Sequence, residues 1–140
     1  MRSPKGVEMV GGVLIERQDG KILLTKTSKW NNKWTLAGGH IEPGESIKTG
    51  LLREAKEELG LDLEPIDIIH WGELINSKDY HRPAHFIYFD LYCKTKDNEE
   101  PTLNHEHQEY QWILPKDALG LDLAESFDIT IKEFIKYKKT

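Results

Sequence analysis

The spacing of apolar positions changes several times along the chain, and each change marks an element. Val7 to Glu16 is rich in β-branched and apolar residues and predicts a strand. Gln18-Asp19-Gly20 supplies turn residues and Lys21 to Thr27 reads as a second strand, so the two predict a hairpin. Ser28 to Lys33 is a polar loop around Trp30. Trp34 to Ala37 is a short strand that runs into a Gly- and Pro-containing loop from Gly38 to Glu45. From Ser46 to Leu59 the period becomes helical. Ile47, Leu51, Ala55 and Leu59 recur every four residues, Leu52 widens the stripe, and Gly60 stands where a left-handed C-cap is expected. Ile66 to Asn76 and Phe86 to Cys93 are strand-like, with a polar loop at Lys78 to Pro83 between them. An acidic loop, Thr95 to Asn104, leads to a last strand, Glu109 to Leu114, ended by Pro115. Phe127, Ile131, Phe134 and Ile135 mark one face of a final helix. Lys132, Lys136, Lys138 and Lys139 crowd its last turns, where cations suit the helix dipole.

The order of hairpin, strand, helix, strands and helix predicts an α/β fold of the α+β type, with helices packed on a mixed sheet. No linker divides it, so residues 1–140 read as a single domain. A length of 140 residues suits one core, and 38% apolar with 31% charged residues is ordinary for a globular chain.

Charge narrows the functions. A net charge of -5 argues against nucleic-acid binding through bulk charge, so an anionic substrate needs local cations or metal ions. Cys93 is the sole cysteine, which excludes an internal disulfide and fits a reducing cytosol. No apolar run approaches the roughly 18 residues of a membrane span, and no signal-peptide core follows Met1 to Lys5. A cytoplasmic chain with no membrane partner is expected.

The candidate chemistry lies in Gly39 to Leu61, GHIEPGESIKTGLLREAKEELGL. Glu54, Glu57 and Glu58 are three and four positions apart and share one helix face. Their mutual repulsion, a few tenths of a kcal/mol, turns into attraction when divalent cations bind. Magnesium typically combines a few carboxylates with substrate phosphates. Three acids on a helix are usually a solvated face, and the surrounding spacing is what alters that view. Gly39 is followed after five residues by Glu45, after seven more by Arg53-Glu54, then by Glu57-Glu58, Gly60 and apolar Leu61.

This pattern resembles the Nudix box at every fixed position. The resemblance implies a Nudix-like α/β/α sandwich, its mixed β-sheet flanked by helices, and Mg2+-dependent cleavage of a phosphoanhydride bond, with Mn2+ as a substitute. It implies that Glu54, Glu57 and Glu58 are metal ligands, joined by the Gly39 carbonyl, and that Glu45 pairs with Arg53 to brace the loop against the helix. Gly38 and Gly39 look like the family's close-approach glycines. Many members have Pro where this chain has Ala37, a departure that touches no ligand. Glu57 or Glu58 can take a proton from the attacking water, and so can Glu106. Glu106 lies six residues before Trp112 in NHEHQEYQW, a placement common in the family, where it would act as a further ligand or as the base. His105 and His107 beside it read as solvated loop residues.

Trp30, Tyr80, His81 and His85 lie in or beside loops, where rings can stack on a base. Trp34 and Phe86 read as core. Lys26, Lys33 and Arg82 are candidate phosphate contacts, though each is more often a surface cation. WNNKWTLAGGHIEPGE, IYFDLYC and EYQWILPKDALGLDL resemble the family's small bacterial nucleoside triphosphatases. That likeness implies a small-molecule nucleotide substrate: a (deoxy)nucleoside triphosphate cut to monophosphate and pyrophosphate. ADP-ribose or a sugar nucleotide is the alternative substrate, and a non-catalytic nucleotide-binding sensor the alternative role. An isoprenoid diphosphate isomerase would need a catalytic cysteine, and Cys93 falls late in a strand with no evident partner. Family folds often dimerise, so the resemblance also admits a homodimer.

Overall fold

The computed structural model describes residues 3–97 and 99–140. Met1 and Arg2, which begin the N-terminal stretch, and Asn98 of the acidic loop lie outside the described residues. The strands are β1 (Val7–Glu16), β2 (Ile22–Thr27), β3 (Lys33–Thr35), β4 (Ala37–His40), β5 (Leu63–Ile75), β6 (His85–Thr95) and β7 (Glu109–Ile113). The helices are α1 (Ile47–Leu59), α2 (Pro115–Ala118) and α3 (Phe127–Lys138), and Ser28–Trp30 forms one 3-10 turn.

Local chemistry sets the limits of α1. The Ser46 hydroxyl accepts the Thr49 N–H at 3.1 Å, and Gly60 closes the helix at φ 70°. Leu51, Ala55 and Leu59 are buried on its inner face, as their spacing predicts.

Three elements differ from the pattern-based expectation. Gly38 to His40 form β4 rather than a loop, because pairing with β1 from Val10↔His40 to Val13↔Ala37 outweighs the low strand propensity of glycine. The predicted hairpin shrinks to one pair, Glu16↔Ile22, after which β2 leaves β1 to pair with β3 and β7. Pro115 opens α2 as well as ending β7, since a first-turn proline forgoes no helical hydrogen bond.

The seven-stranded sheet runs β3-β2-β1-β6-β5, with β4 on β1 and β7 on β2. The β1–β6 pair is parallel and the others are antiparallel. β1 therefore shares one edge between two partners, and the sheet forks between β2 and β4. Register decides which side chains face which helix. Val13 and Ile15 of β1, with Leu91 and Cys93 opposite them, pack under α1 against Leu51, Ala55 and Leu59. Leu14, with Tyr92 opposite, packs on the other face against Ile131 and Phe134 of α3. The result is an α/β/α sandwich with two cores.

Two glycines allow β4 to lie where it does. A Cβ on Gly38 would overlap the Gly11 carbonyl oxygen, and one on Gly39 would lie 2.5 Å from the Glu54 carboxyl carbon. Gly38→Ala should therefore push β4 off β1 and destabilise the fold by about 1–3 kcal/mol, read as a lowered denaturation midpoint. An unchanged midpoint would show that the two strands can separate without cost.

Among the described residues no helix is long and apolar enough to cross a membrane.

Candidate active site

The fork in the sheet opens a cavity of about 200 Å3 that reaches both faces of the sheet. On the α1 side its wall carries Glu54, Glu58, Glu106 and His107. On the α3 side it carries Trp30, Tyr80, Phe86, Phe127, Asp90 and Thr130. Gly11↔Gly39 and Gly12↔Gly38 pair between these two groups, and all four line the cavity. Their missing side chains let β1, β4 and Glu54 pack closely there, and of the four only Gly12 has room for a Cβ without overlap.

Helical spacing places the acids. Glu54 and Glu58, four apart, both line the cavity, and the Glu58 side chain is 3% exposed. Glu57 is not among the lining residues. Its side chain is 57% exposed and lies 3.4 Å from Arg53 Nη1. Tertiary hydrogen bonds bring Glu106 from the far end of the sequence. Thr102 N donates to Leu59 O at 2.8 Å and Asn104 N to Glu58 O at 3.0 Å, pinning the loop to the end of α1. Glu106 then pairs with Lys29 at 3.1 Å.

His107 departs from expectation. It is buried rather than solvated, and its Nε2 lies 2.5 Å from Glu58 Oε1. Burial, the hydrogen bond with Glu54 and the charge of Glu106 push the Glu58 carboxyl up to about 9, and burial pushes the His107 imidazole down. Glu58 Oε2 and His107 Nδ1 are both buried with no hydrogen-bond partner. Polar atoms in that condition normally find a partner. Ligand atoms of Glu58, Glu106 and His107 lie within 4.8 Å of one another. A carboxylate-rich donor set with an unpaired buried oxygen fits a hard divalent cation.

Arg53 holds the frame. Its guanidinium donates to Glu45 at 2.7 and 3.1 Å, to the His40 carbonyl at 3.1 Å and to Glu54 at 3.1 Å. Glu45 also accepts the Glu42 N–H at 2.7 Å, and the Arg53 contact holds its carboxyl down at about 2. The segment from His40 to Glu45 is thus tied to the helix that carries the acids.

The aromatic side is built from distant segments. Trp30 lies 4.6 Å from Tyr80 and 5.2 Å edge-on from Phe127, and Tyr80 lies 4.9 Å from Phe86. Arg82 stacks on Tyr80 at 5.3 Å and is gripped by Glu8 at 2.7 and 2.8 Å, while Glu8 also meets His40 at 2.6 Å. Arg82, and then His40, hold the Glu8 carboxyl at about 2. Because this acid is depressed in the folded state, its stabilisation is present above the ordinary value of 4.5 and is lost as pH falls toward 2. Melting temperature should fall over that window in the wild type and fall less in Glu8→Gln. Parallel curves would remove Glu8 as a contributor.

Trp30 and Tyr80 thus line the cavity as the sequence suggests, whereas Lys33 and His85 do not. Lys33 is held by buried Asp79 at 3.1 Å and by Asp122 at 3.8 Å. His85 faces the opposite side of β6 from Phe86 and pairs with Glu73 at 2.7 Å. Lys26 pairs with Glu109 at 3.2 Å. Trp34 and Phe86 are buried as expected, and Phe86 also forms part of the wall. Lys29, Asp90 and Thr130 escaped the sequence reading, and His107 was expected in solvent. Asp90 did leave a signal, as an acid inside an otherwise apolar strand.

The NUDIX domain profile matches residues 8–137. The chain belongs to the Nudix family. Nucleoside triphosphatase NudI from Escherichia coli O17:K52:H18 is 35% identical over 117 residues, covering 76% of this chain and 82% of the relative. Among solved structures, the MutT protein of Methanosarcina mazei Go1 aligns over 100% of this chain and 99% of its own, with TM-score 0.80 and 27% identity. The Escherichia coli ORF135 protein aligns over 94% and 91%, with TM-score 0.72 and 28% identity. The sandwich is thus the Nudix fold, and the protein is a Nudix hydrolase of phosphoanhydride bonds, a class that generally depends on a divalent metal. Cys93 is buried and does not line the cavity, with its thiol pushed up to about 12, which leaves the isomerase alternative without the catalytic cysteine it needs.

Proposed function

We propose that this Nudix protein, acting as one domain, hydrolyses nucleoside triphosphates to the monophosphate and pyrophosphate with Mg2+, for which Mn2+ can substitute. One observation carries this reading. A single cavity has carboxylates at one end and a wall of aromatic rings at the other, the two surfaces that a metal-bound polyphosphate and a base require. The likeness to NudI, named a nucleoside triphosphatase, supports the same substrate class.

In this reading Glu54, Glu57, Glu58 and the Gly39 carbonyl hold the metal, with Glu106 beside them. When bound, a divalent ion offsets phosphate charge and lowers the pKa of water. Glu106 accepts the proton of the attacking water as the new P–O bond forms and the phosphoanhydride P–O bond breaks, releasing pyrophosphate. Arg53 and Glu45 hold the glutamates in register. Lys29, already at the cavity wall beside Glu106, faces the phosphates. Trp30 and Tyr80 meet the base.

The test is a magnesium-dependent panel of ribo- and deoxynucleoside triphosphates, ADP-ribose and sugar nucleotides, with products weighed by mass. Pyrophosphate plus a monophosphate from a triphosphate is the expected result. Two monophosphate products from ADP-ribose, with triphosphates inert, would overturn the substrate. Tight binding without turnover would indicate a sensor.

A further inference from the structure

Asp90 lies at the end of the cavity that metal chemistry leaves unexplained. It sits in β6 opposite Gly12, on the α3 face, and is 3% exposed. Its neighbours in the strand are apolar, and the α3-side core around it has no need of a carboxyl. Its Oδ2 accepts the Thr130 hydroxyl at 2.6 Å, and Thr130 is itself 2% exposed. Among the described residues no cation pairs with Asp90 and no second hydrogen bond reaches it. Oδ1 points toward the space that Gly12 leaves open, 3.4 Å from where a Cβ on that glycine would lie. Burial pushes the carboxyl up to about 7, as expected for an acid with a single neutral partner.

Oδ1 has no protein partner among the described residues and Asp90 lines the cavity, so what fills the cavity is what satisfies this oxygen. The neighbouring acid is already engaged: Glu125 Oε1 accepts from Ser77 at 2.8 Å and from Lys78 N at 3.2 Å. Phosphates cannot lie against Asp90, because two anionic groups would be brought together out of water. The rings of Trp30, Phe86 and Phe127 line this end. A flat ligand with apolar faces and an N–H donor on its edge satisfies all of these surfaces.

We propose that Asp90 is a specificity-determining residue whose free Oδ1 accepts a hydrogen bond from the exocyclic amino group of an amino-bearing nucleobase. Thr130 is its positioning residue. This rests on the triphosphate reading above, and it orients the substrate with the base toward α3 and the phosphates toward α1. Asp90→Asn makes a sharp probe. The Thr130 hydroxyl, which donates, holds the amide oxygen, so the amide NH2 takes the place of Oδ1 and presents a donor instead of an acceptor.

The experiment compares each amino-bearing triphosphate with its deaminated counterpart, dCTP with dUTP and dATP with dITP. It reads kcat and KM for turnover, and also reads Kd for non-hydrolysable α,β-imido analogues without metal by quenching of tryptophan fluorescence. The wild type should favour at least one amino partner by about tenfold, the scale of one hydrogen bond to a charged or buried acceptor. In Asp90→Asn the ratio should fall to about threefold or reverse, with the change in KM and Kd rather than kcat. Thr130→Val keeps the volume and the charge, and it should erode the same ratio if Asp90→Asn fails to fold. Equal affinity for amino and oxo partners in the wild type, or an unchanged ratio in both folded variants, overturns the proposal. Binding with amino-over-oxo preference but no turnover overturns the triphosphatase reading and leaves Asp90 in its role. Failure of every triphosphate analogue to bind, with no turnover of any triphosphate in Mg2+, overturns both.

Discussion

Glu58→Gln is expected to fold, to melt no lower than the wild type and to lose at least about 10^2-fold in turnover. The loss follows from the position proposed for Glu58 at the metal. Groups that merely orient a metal ligand typically cost 10- to about 100-fold when removed, so a ligand should cost more. The stability follows from burial. Glu58 is 2% exposed, its pKa is raised to about 9, and one of its oxygens has no protein partner, so the fold disfavours this acid in its charged form. A neutral isostere removes that cost. Glu57→Gln gives the contrast. Its carboxylate is exposed, so the same loss of turnover should come with no change in melting temperature. Calorimetric titration with Mn2+ provides the second reading, because both variants should bind the ion more weakly. Wild-type turnover in either folded variant would remove that residue from the ligand set.

Arg53→Ala should lower turnover by about 10- to 100-fold and lower the melting temperature as well. Arg53 donates to Glu45, Glu54 and the His40 carbonyl at once, and its pKa is raised chiefly by Glu45. Its loss leaves Glu45, 15% exposed, without its partner and frees the His40–Glu45 segment from α1. Arg53→Lys should recover little, because one ammonium cannot reproduce a planar fork that donates in several directions. Near-normal kcat in Arg53→Lys would show that charge alone suffices and that the bracing geometry is not required.

Much of the α1 end of the site was legible from local sequence. Helical periodicity placed α1, Ser46 and Gly60 bounded it, and the spacing of Glu54 and Glu58 brought both carboxylates to one cavity. The pairing of Glu45 with Arg53, implied by the family resemblance, is present at 2.7 Å. Other elements resisted a local reading for identifiable reasons. Gly38 and Gly39 look like a loop because their strand character comes from the partner β1 and from the absence of a Cβ. His107 looks like a polar loop residue, and only the hydrogen bonds that fasten residues 102 and 104 to the end of α1 bury it against Glu58. Lys33 and His85 are plausible contacts by composition, but ion pairs with Asp79 and Glu73 hold them elsewhere.

The boundary between the two kinds of information has a physical basis. A helix converts spacing of three and four residues into a shared face without reference to the rest of the chain. The sequence alone therefore determined the family, the acidic face of α1 and the reaction class. Strands converge by register and by pairing across long stretches of chain, and neither is written in local periodicity. The fork between β2 and β4, the close pairing of four glycines, and the meeting of Trp30, Tyr80, Asp90 and Phe127 around one cavity were decided only by the tertiary structure.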